Sequence, residues 1–509
     1  MTVQDRKLAS PTVIRPRPHA VVIGTGFGGL AAAIRLGARG YRVTVLEKQD
    51  VPGGRARVFE QDGYRFDAGP TIITLPHLLE DLWRVAGREM AEDVELRSLD
   101  PFYRFHFNDG ETLTCSGDAE RMRAEIARVS PGDVRGFERL ISVTEPRYRV
   151  GFERYGNVPF NSVGSMIRAL PSLLGIGAAY TVAQGTALYL KDPRLRLAFS
   201  YHPLLIGGNP YATTSVYLLI LALERKFGVH FAMGGTGAVV EGLARLIEGQ
   251  GNPIHYGTEV AEIQVKDGRT TGVRLTTGQT LPADIVVSNA DAAWTWKHLV
   301  GRQHRRRWTD AKLDRARYSM GLFVWYFGTN RRWDEVQHHS LVLGPRYKGL
   351  LDDIFKRHVL AEDCSLYLYR PTATDPSLAP PGCDTFYALS PVPHLDSGTD
   401  WGAIAETYRQ KIQDRLESTL LPGLGQAIAT SRVVTPQYFH DALNSVKGSG
   451  FSLEPNLFQS AWFRPNIRAE DVEGLYLVGA GTHPGAGVPG VLTSAQILQE
   501  IVPDAASLC

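Results

Sequence analysis

The residues GTGFGG at 24–29 have the spacing of a loop that binds a dinucleotide. Gly24, Gly26 and Gly29 form the pattern G-x-G-x-x-G between the short apolar run HAVVIG and the alanine-rich segment GLAAAIRLGARG. Glycines at these places allow a tight turn, the close approach of a pyrophosphate and close packing of a helix on a strand. The N-terminus of the following helix then offers unpaired N–H groups and a positive dipole end to the phosphates.

An acidic residue follows where a dinucleotide site needs one. Glu47 ends the strand-like segment YRVTVLE, and an acid about 20 residues after the glycines accepts hydrogen bonds from a ribose. The order strand, helix, strand is the βαβ unit of a parallel sheet. Because the glycines, the βαβ order and the acid agree, the sequence predicts a dinucleotide site rather than a glycine turn of purely structural role.

Two further glycine-rich segments go beyond the needs of a plain nicotinamide enzyme and favour FAD. KQDVPGGR places Gly53 and Gly54 before Arg55, whose cation suits a phosphate or a ring oxygen, and a simple turn is the alternative. GLYLVGAGTHPGAGVPGV at 474–491 is typical of a strand, a glycine-rich turn and a helix that begins after Gly490. A helix N-terminus there would stabilise negative charge on a reduced ring system. His483 in this turn is predicted to be a structural hydrogen-bonding residue rather than a catalyst.

Composition excludes several classes of function. A chain of 509 residues allows two or three domains, and 43% hydrophobic with 21% charged residues is ordinary for a folded protein. The net charge of +2 provides no field that attracts nucleic acid. Four scattered cysteines lack the spacing of metal ligands, so we predict no metal site.

Two long uncharged stretches raise the question of membrane contact. Residues 169–190 and 197–223 are long enough to cross a bilayer, but glycines, prolines and polar residues interrupt both. A spanning helix broken in this way would leave backbone groups unpaired in lipid, so we predict no span. Buried helices of a substrate domain and attachment to one membrane face remain as alternatives. The basic run from Arg302 to Arg317 indicates either a solvated helix face or a patch for anionic lipid headgroups.

The glycine-rich segments resemble those of the bacterial carotenoid desaturases, and the phytoene desaturases are the most similar. FDAGPTIIT, SYHPLLIGGNPYATTSVYLLI, GGTGAVVEGL, VVSNAD and FQSAWFRPNIR extend the likeness through nearly the whole chain. The resemblance implies FAD as the cofactor and a long hydrophobic polyene, phytoene, as the substrate. The implied cofactor contacts fall on Gly24, Gly26, Gly28, Gly29, Glu47, Lys48, Gly54, Arg55, Pro70, Thr71, Val260, Asn289, Asp291, Gly479, Ala480, Gly481, Gly490 and Val491.

The same resemblance suggests Arg168 as a catalytic residue. Related desaturases carry an acid three positions before this arginine, where this chain has Ser165, so an Arg–acid pair is not retained. Desaturation would remove a hydride and a proton from adjacent carbons, stepwise, to neurosporene and/or lycopene, and the flavin would carry the chemistry. Only one complete dinucleotide fingerprint is present, so we expect a quinone or oxygen as electron acceptor. We expect peripheral attachment to the cytoplasmic side of the cell membrane. The alternatives are a desaturase or isomerase of another carotenoid, a flavin amine oxidase and a non-enzymatic prenyl-lipid escort protein.

Segments with the character of a cofactor domain occur near the N-terminus, in the middle and at the C-terminus. We therefore predict an α/β fold with a Rossmann-like FAD-binding domain of glutathione-reductase type. An inserted, mixed α+β substrate domain would carry a helical lid that faces the membrane. The predicted parts are a loose leader at 1–18, FAD-binding segments at 19–100, 231–295 and 471–509, and substrate segments at 101–230 and 296–470.

Overall fold

The computed structural model describes residues 17–160 and 162–508. The predicted leader at 1–18 therefore lies outside the described residues, apart from its last two. The helices are α1 Phe27–Ala38, α2 Pro76–Val85, α3 Ala119–Val129, α4 Val134–Tyr148, α5 Val163–Gly175, α6 Val182–Ala187, α7 Pro193–Ser200, α8 Leu219–Phe227, α9 Thr236–Gly249, α10 Ala292–Trp294, α11 Asp310–Arg315, α12 Tyr347–Asp352, α13 Trp401–Glu417, α14 Leu424–Ala427, α15 Pro436–Asp441 and α16 Val488–Ile501. The strands are β1 His19–Ile23, β2 Arg42–Leu46, β3 Val58–Gln61, β4 Tyr64–Asp67, β5 Leu96–Leu99, β6 Tyr103–His106, β7 Thr112–Cys115, β8 Val229–Ala232, β9 Ile254–His255, β10 Val260–Lys266, β11 Arg269–Leu275, β12 Thr280–Pro282, β13 Ile285–Ser288, β14 Gly321–Thr329, β15 His339–Val342, β16 Leu366–Tyr369, β17 Asp384–Val392, β18 Ile428–Val434 and β19 Leu475–Leu477.

A five-stranded parallel sheet in the order β19-β13-β1-β2-β9 forms the base of the cofactor region. Its three inner strands are apolar and almost wholly buried, as expected for a parallel sheet covered on its faces. Helix α1 packs against both α9 and α16. The predicted βαβ unit is present as β1, α1 and β2, and the chain supplies the other strands of this sheet from its middle and from its C-terminal region.

An antiparallel meander, β10-β11-β12, leads into the buried strand β13. The turn between β10 and β11 is formed by Asp267 and Gly268, with φ of 51° and 79°. This Asp-Gly pair is the sequence signal of a two-residue hairpin, which requires positive φ at both central positions. The meander therefore follows from turn residues that are local in the sequence.

A seven-stranded mixed sheet, in the order β18-β14-β17-β16-β15-β6-β7, forms the base of the substrate region. All nine residues of β14 are buried, so the aromatic segment LFVWYFG is a central strand. Strands β6 and β7 come from a part of the chain more than 200 residues earlier and join through the parallel pairing of β6 with β15. The substrate sheet therefore combines two separate chain segments. The exact bounds of the predicted parts stay predictions.

The two uncharged stretches fold into short helices. Residues 169–190 contribute to α5 and α6, and residues 197–223 contribute to α7, two 3₁₀ turns and α8. Within the part of the chain that the structure describes, no helix combines the length and apolar character needed to cross a bilayer.

The basic run does not form one helix face. Arg302 and Arg305 both pair with Asp310, and Arg305 is buried. Arg307 lies 3.5 Å from Glu470 and stacks over the ring of Trp462. The prediction of a solvated face is therefore wrong for Arg305, because acidic side chains of this chain draw the arginines inward.

Candidate functional site

A single cavity of about 580 Å³ lies between the two sheets. One part of its lining consists of glycine-rich loops at the carboxyl ends of β1, β2 and β19. Another part is apolar and comes from α5, α8 and the substrate sheet, with Met166, Leu173, Leu223, Leu322 and Leu341 among its residues. Ligands of open parallel sheets bind at the carboxyl ends of the strands, so the loop-lined part is the candidate cofactor site.

Three distant segments meet at Gly28. A Cβ atom added at Gly28 would lie 2.5 Å from Oδ1 of Asn289 and 2.9 Å from the backbone nitrogen of Gly479. At Gly29, which does not line the cavity, an added Cβ would lie 2.0 Å from the carbonyl oxygen of Gly24. Gly29 therefore allows helix α1 to pack closely on the loop, and Gly24, with φ of 92°, allows the tight turn. Gly24, Gly26 and Gly28 line the cavity. This division matches the separate roles of the glycines in a dinucleotide loop.

Glu47 stands at the end of β2, buried and facing the cavity. One carboxylate oxygen accepts hydrogen bonds from the backbone N–H and the hydroxyl of Thr25, at 2.8 and 2.5 Å. The other accepts from the backbone N–H of Gln49 at 2.8 Å. An ionised carboxylate has about four acceptor positions, so Glu47 is fixed by the protein and still able to accept from a ribose.

The second glycine loop packs on the first. Gly53 and Gly54 have φ of 111° and 56°, a region that glycine enters without strain, and Gly54 lies against Gly26. Arg55 lines the cavity and donates from Nη2 to the hydroxyl of Ser445 at 2.9 Å. Burial lowers the pKa of Arg55, and the carboxylate of Asp291 opposes that shift.

Asp291 offers a free acceptor to the cavity. Its Oδ1 atom caps α10 by accepting from the backbone N–H groups of Ala293 and Trp294 at 3.0 and 3.1 Å. Its buried Oδ2 atom has no hydrogen-bond partner among the described residues. A buried carboxylate oxygen without a partner is costly, and a bound group that donates to it would remove that cost.

The remaining predicted contacts surround the same space. Pro70, Val260, Asn289 and Lys48 line the cavity, and the Lys48 ammonium donates to the Asn444 side chain at 2.9 Å. Thr71 also lines it, and its hydroxyl lies 3.0 Å from the hydroxyl of Tyr367.

The C-terminal turn closes the site. Gly479, Ala480, Gly490 and Val491 line the cavity, whereas Gly481 packs against Ala292 and does not. Helix α16 begins at Val488, before Gly490, so the predicted start after Gly490 is wrong. Pro489 explains the difference, because proline fits the first turn of a helix, where its missing N–H is not needed. Burial and the nearby Arg464 lower the pKa of His483 to about 4, so this side chain is neutral at pH 7.

The comparisons agree with this geometry. A family model described as flavin-containing amine oxidoreductase matches residues 27–497. A phytoene desaturase (neurosporene-forming) of Cereibacter sphaeroides is 52% identical over 492 residues, which cover 96% of this chain and 95% of that protein. A lycopene-forming phytoene desaturase of Pseudescherichia vulneris is 48% identical, with 94% and 97% covered.

The chain belongs to the phytoene desaturase family of flavin-containing amine oxidoreductases.

A solved oxidoreductase structure from Methanosarcina mazei is 19% identical with a TM-score of 0.64, covering 95% of this chain and all of that one. At this identity the likeness shows the fold alone. The family's cofactor is a flavin, and the residues above fit it. The glycine cradle excludes side chains, Glu47 is fixed for a ribose, and Asp291 has an unused acceptor.

Arg168 does not reach the cavity. It is exposed on α5, and its Nε atom donates to the carbonyl of Gly164 within the same helix. Met166 and Leu173 are the residues of α5 that line the cavity. Each helical residue advances about 100°, so Arg168 points about 200° away from Met166. The proposed catalytic role of Arg168 has no support in this geometry.

Two buried features of the site escaped the sequence reasoning. Arg464 is fully buried and donates to the carbonyl of Ala480, in the C-terminal turn, at 2.9 Å. Its segment, FQSAWFRPNIR, had already indicated the family but not this contact. Glu224 on α8 lines the apolar part of the cavity, and its position in LILALERKF is that of an ordinary charged helix residue.

Proposed function

We propose that the protein is an FAD-dependent desaturase of phytoene, which introduces conjugated double bonds stepwise to give neurosporene or lycopene. One observation carries this proposal: the cradle for a dinucleotide and a chamber lined by aliphatic and aromatic side chains share one continuous cavity. A hydrocarbon chain can thus lie against the cofactor without leaving the protein. The relatives at 52% and 48% identity are phytoene desaturases that form neurosporene and lycopene, and these activities agree with the proposed function.

The residues that line the cofactor loops and the aliphatic chamber would bind and orient the flavin and the substrate. When bound, FAD supplies the acceptor for a hydride from the substrate. Gly24, Gly26 and Gly28 would let the pyrophosphate approach, and Glu47 would hold a ribose. Aliphatic residues such as Leu223, Leu322 and Leu341 would exclude water from the polyene and gain about 25 cal/mol for each Å² of apolar surface that they bury.

Two rival functions fit less well. A flavin amine oxidase needs groups that hold a cation, whereas the chamber beside the cofactor loops is lined mainly by aliphatic and aromatic residues. A non-enzymatic lipid escort protein would not need the cradle formed by Gly28, Asn289 and Gly479. A yellow purified protein with stoichiometric flavin would contradict the escort function.

The test is an anaerobic incubation of the purified protein with FAD, phytoene in liposomes and a quinone. We expect a structured visible absorption whose wavelength counts the double bonds and so distinguishes neurosporene from lycopene. Omitting the quinone and then admitting oxygen identifies the electron acceptor. Retained flavin without any coloured product, in the presence of quinone, would contradict the proposal. Hydrogen peroxide formed from a supplied amine would favour the amine oxidase.

We also propose that α5 is the lid through which the enzyme attaches to the cytoplasmic face of the cell membrane. Its exposed residues Val163, Ile167, Leu170 and Leu174 recur at helical spacing and form an apolar stripe. The adjacent side of α5, about 80° around the helix from the stripe, reaches the cavity through Met166 and Leu173. A helix with one face toward lipid and another toward the substrate chamber would deliver an insoluble polyene without exposing it to water.

This attachment can be tested by charging the stripe. Each exposed aliphatic side chain gains about 1.5–3 kcal/mol on entering an apolar phase, so Ile167→Asp with Leu174→Asp should weaken binding to liposomes at least tenfold. Val359→Asp is the matched control, because Val359 is also an exposed aliphatic residue but lies on another segment. Co-sedimentation with liposomes measures the effect. Equal binding by both variants would contradict the role of α5.

A further inference from the structure

The apolar part of the cavity contains one acidic side chain that binding of a hydrocarbon does not explain. Among the described residues, the carboxylates that line the cavity belong to Glu47, Glu259, Asp291 and Glu224. The first three stand with the cofactor loops. Glu224 lies on α8 beside Ile220 and Leu223, and it is buried. A polyene has no group that could pair with a carboxylate, so placing one against it is costly unless it serves the chemistry.

Glu224 is held by side chains from two other elements. The hydroxyl of Tyr103 on β6 donates to Oε1 at 2.7 Å. Nε2 of His202, in the turn after α7, lies 3.1 Å from Oε2. An ionised carboxylate accepts from both neighbours and keeps further lone pairs free. Burial and the Glu224 carboxylate both raise the pKa of Tyr103 and Tyr201, so both phenols stay protonated. Tyr103 donates to Glu224, whereas the hydroxyl of Tyr201 has no hydrogen-bond partner among the described residues.

A second, small cavity lies behind Glu224. It has a volume of about 30 Å³, which is room for a water molecule. Tyr201 and Glu224 line both cavities, whereas Tyr103 and His202 line only the small one. The small cavity also reaches Ser116 and the partly exposed Arg225. A proton that Glu224 takes up on the substrate side can therefore leave toward the polar groups and the space of the small cavity.

We propose that Glu224 is the catalytic base of the desaturation, a role that rests on the proposed function. One C–H bond of the substrate would break with both electrons, and bound FAD, which the proposed function supplies, would be the two-electron acceptor of that hydride. The C–H bond on the adjacent carbon then breaks, its electron pair forms the new double bond, and its proton passes to a Glu224 oxygen. The negative carboxylate also stabilises the positive charge that hydride loss creates on the carbon chain. The proton then leaves Glu224 through the small cavity, which Ser116 and Tyr201 also line and which has room for a water molecule.

His483 is the alternative base, and its surroundings argue against it. It lines the cavity, but its pKa is lowered to about 4 by burial and by the Arg464 guanidinium. The same guanidinium would repel a cationic carbon chain. Glu224 has no guanidinium as a hydrogen-bond partner among the described residues. The side chains that interact with it are Tyr103, Tyr201, His202 and Cys115.

The experiment is a single anaerobic turnover of the flavin-loaded enzyme with phytoene in liposomes. Glu224→Gln keeps the volume and an acceptor for Tyr103 but cannot take up the proton. We expect its rate of product formation to fall 10²- to 10⁴-fold, the usual contribution of a general base, with flavin content and melting temperature unchanged. Glu153→Gln is the matched control. Glu153 is a half-exposed acid that pairs with Lys226, a residue of the helix α8 that carries Glu224. The rate of product formation by this variant should equal that of the wild type.

A purely structural role of Glu224 is distinguished by chemical rescue. In Glu224→Ala, added formate should restore part of the rate, because a small carboxylate can occupy the vacated space. If the Glu224→Gln protein loses its flavin, the Glu224→Asp variant provides the test instead. A slower desaturation with full flavin content would support Glu224 as the base, and an unchanged rate would overturn the proposal. A Glu224→Gln enzyme as fast as the wild type also overturns it. If the wild type forms no product, the proposed function itself fails.

Discussion

Gly28→Ala should weaken the binding of FAD in a protein that still folds. Its added Cβ would lie 2.5 Å from Oδ1 of Asn289 and 2.9 Å from the nitrogen of Gly479, whereas ordinary contacts begin near 3.4 Å. One of the three segments must therefore move by about 0.5–1 Å. Overpacking of this kind costs about 1–3 kcal/mol, and each 1.4 kcal/mol is a factor of ten in an equilibrium constant. Because all three segments line the cofactor cradle, we expect the dissociation constant for FAD to rise about 5- to 150-fold.

The assay is titration of flavin-free protein with FAD, followed by the change in flavin fluorescence. Gly132→Ala is the control, because an added Cβ at Gly132 meets no atom within 4 Å. Its affinity for FAD should equal that of the wild type. If Gly28→Ala also bound FAD with wild-type affinity, the convergence of three segments at the cofactor would be refuted.

Two further predictions concern buried carboxylates. Asp384→Ala should lower the free energy of unfolding by about 3–5 kcal/mol, because Arg370 and Asp384 form an ion pair whose side chains are only 2% and 0% exposed. Asp334→Ala removes a partner of the same arginine that is 77% exposed, so it should cost about 1 kcal/mol or less. Denaturant unfolding of both variants measures the contrast, and equal losses would contradict it. Burial raises the pKa of Asp67 from 3.8 to about 6, so the folded state binds a proton that the unfolded state releases, and the stability contributed by this group is lost as the pH rises from about 4 to 6. The whole dependence amounts to about 3 kcal/mol, of which about 2 kcal/mol falls between pH 4.5 and pH 7. Asp67→Asn should remove it; the unfolding free energies of the wild type and the variant at these two pH values measure the change, and parallel curves would contradict it.

Local signals explain why the cofactor region could be predicted from the sequence. The glycines at 24–29, the Asp267–Gly268 turn and the alternation of the meander strands each act over a few residues. Such turn chemistry is set by φ, which side chains at the turn itself decide. The start of α16 was misplaced because Gly490, normally a turn residue, lies inside the first turn of that helix.

Long-range contacts explain what could not be predicted. The role suggested for Arg168 finds no support because Met166 and Leu173 are the residues of α5 that line the cavity, and the sequence of this helix does not fix which face turns inward. Glu224 was missed because its partner Tyr103 lies 121 residues away, on a strand whose sheet is formed by later parts of the chain. The pairing of β6 with β15 likewise joins two segments that are far apart in the sequence.

The meeting of Gly28, Asn289 and Gly479 also sets the order of events during biosynthesis. The ribosome makes the glycine loop at 24–29 first, Asn289 follows more than 200 residues later, and the turn around Gly479 comes almost 200 residues after that. Chains emerge at about 5–20 residues per second, so the nascent protein spends tens of seconds with an incomplete cradle. A complete flavin site can therefore form only after the segment around Gly479 has been made, and cells short of this vitamin-derived cofactor would accumulate colourless apoprotein that already contains all three segments.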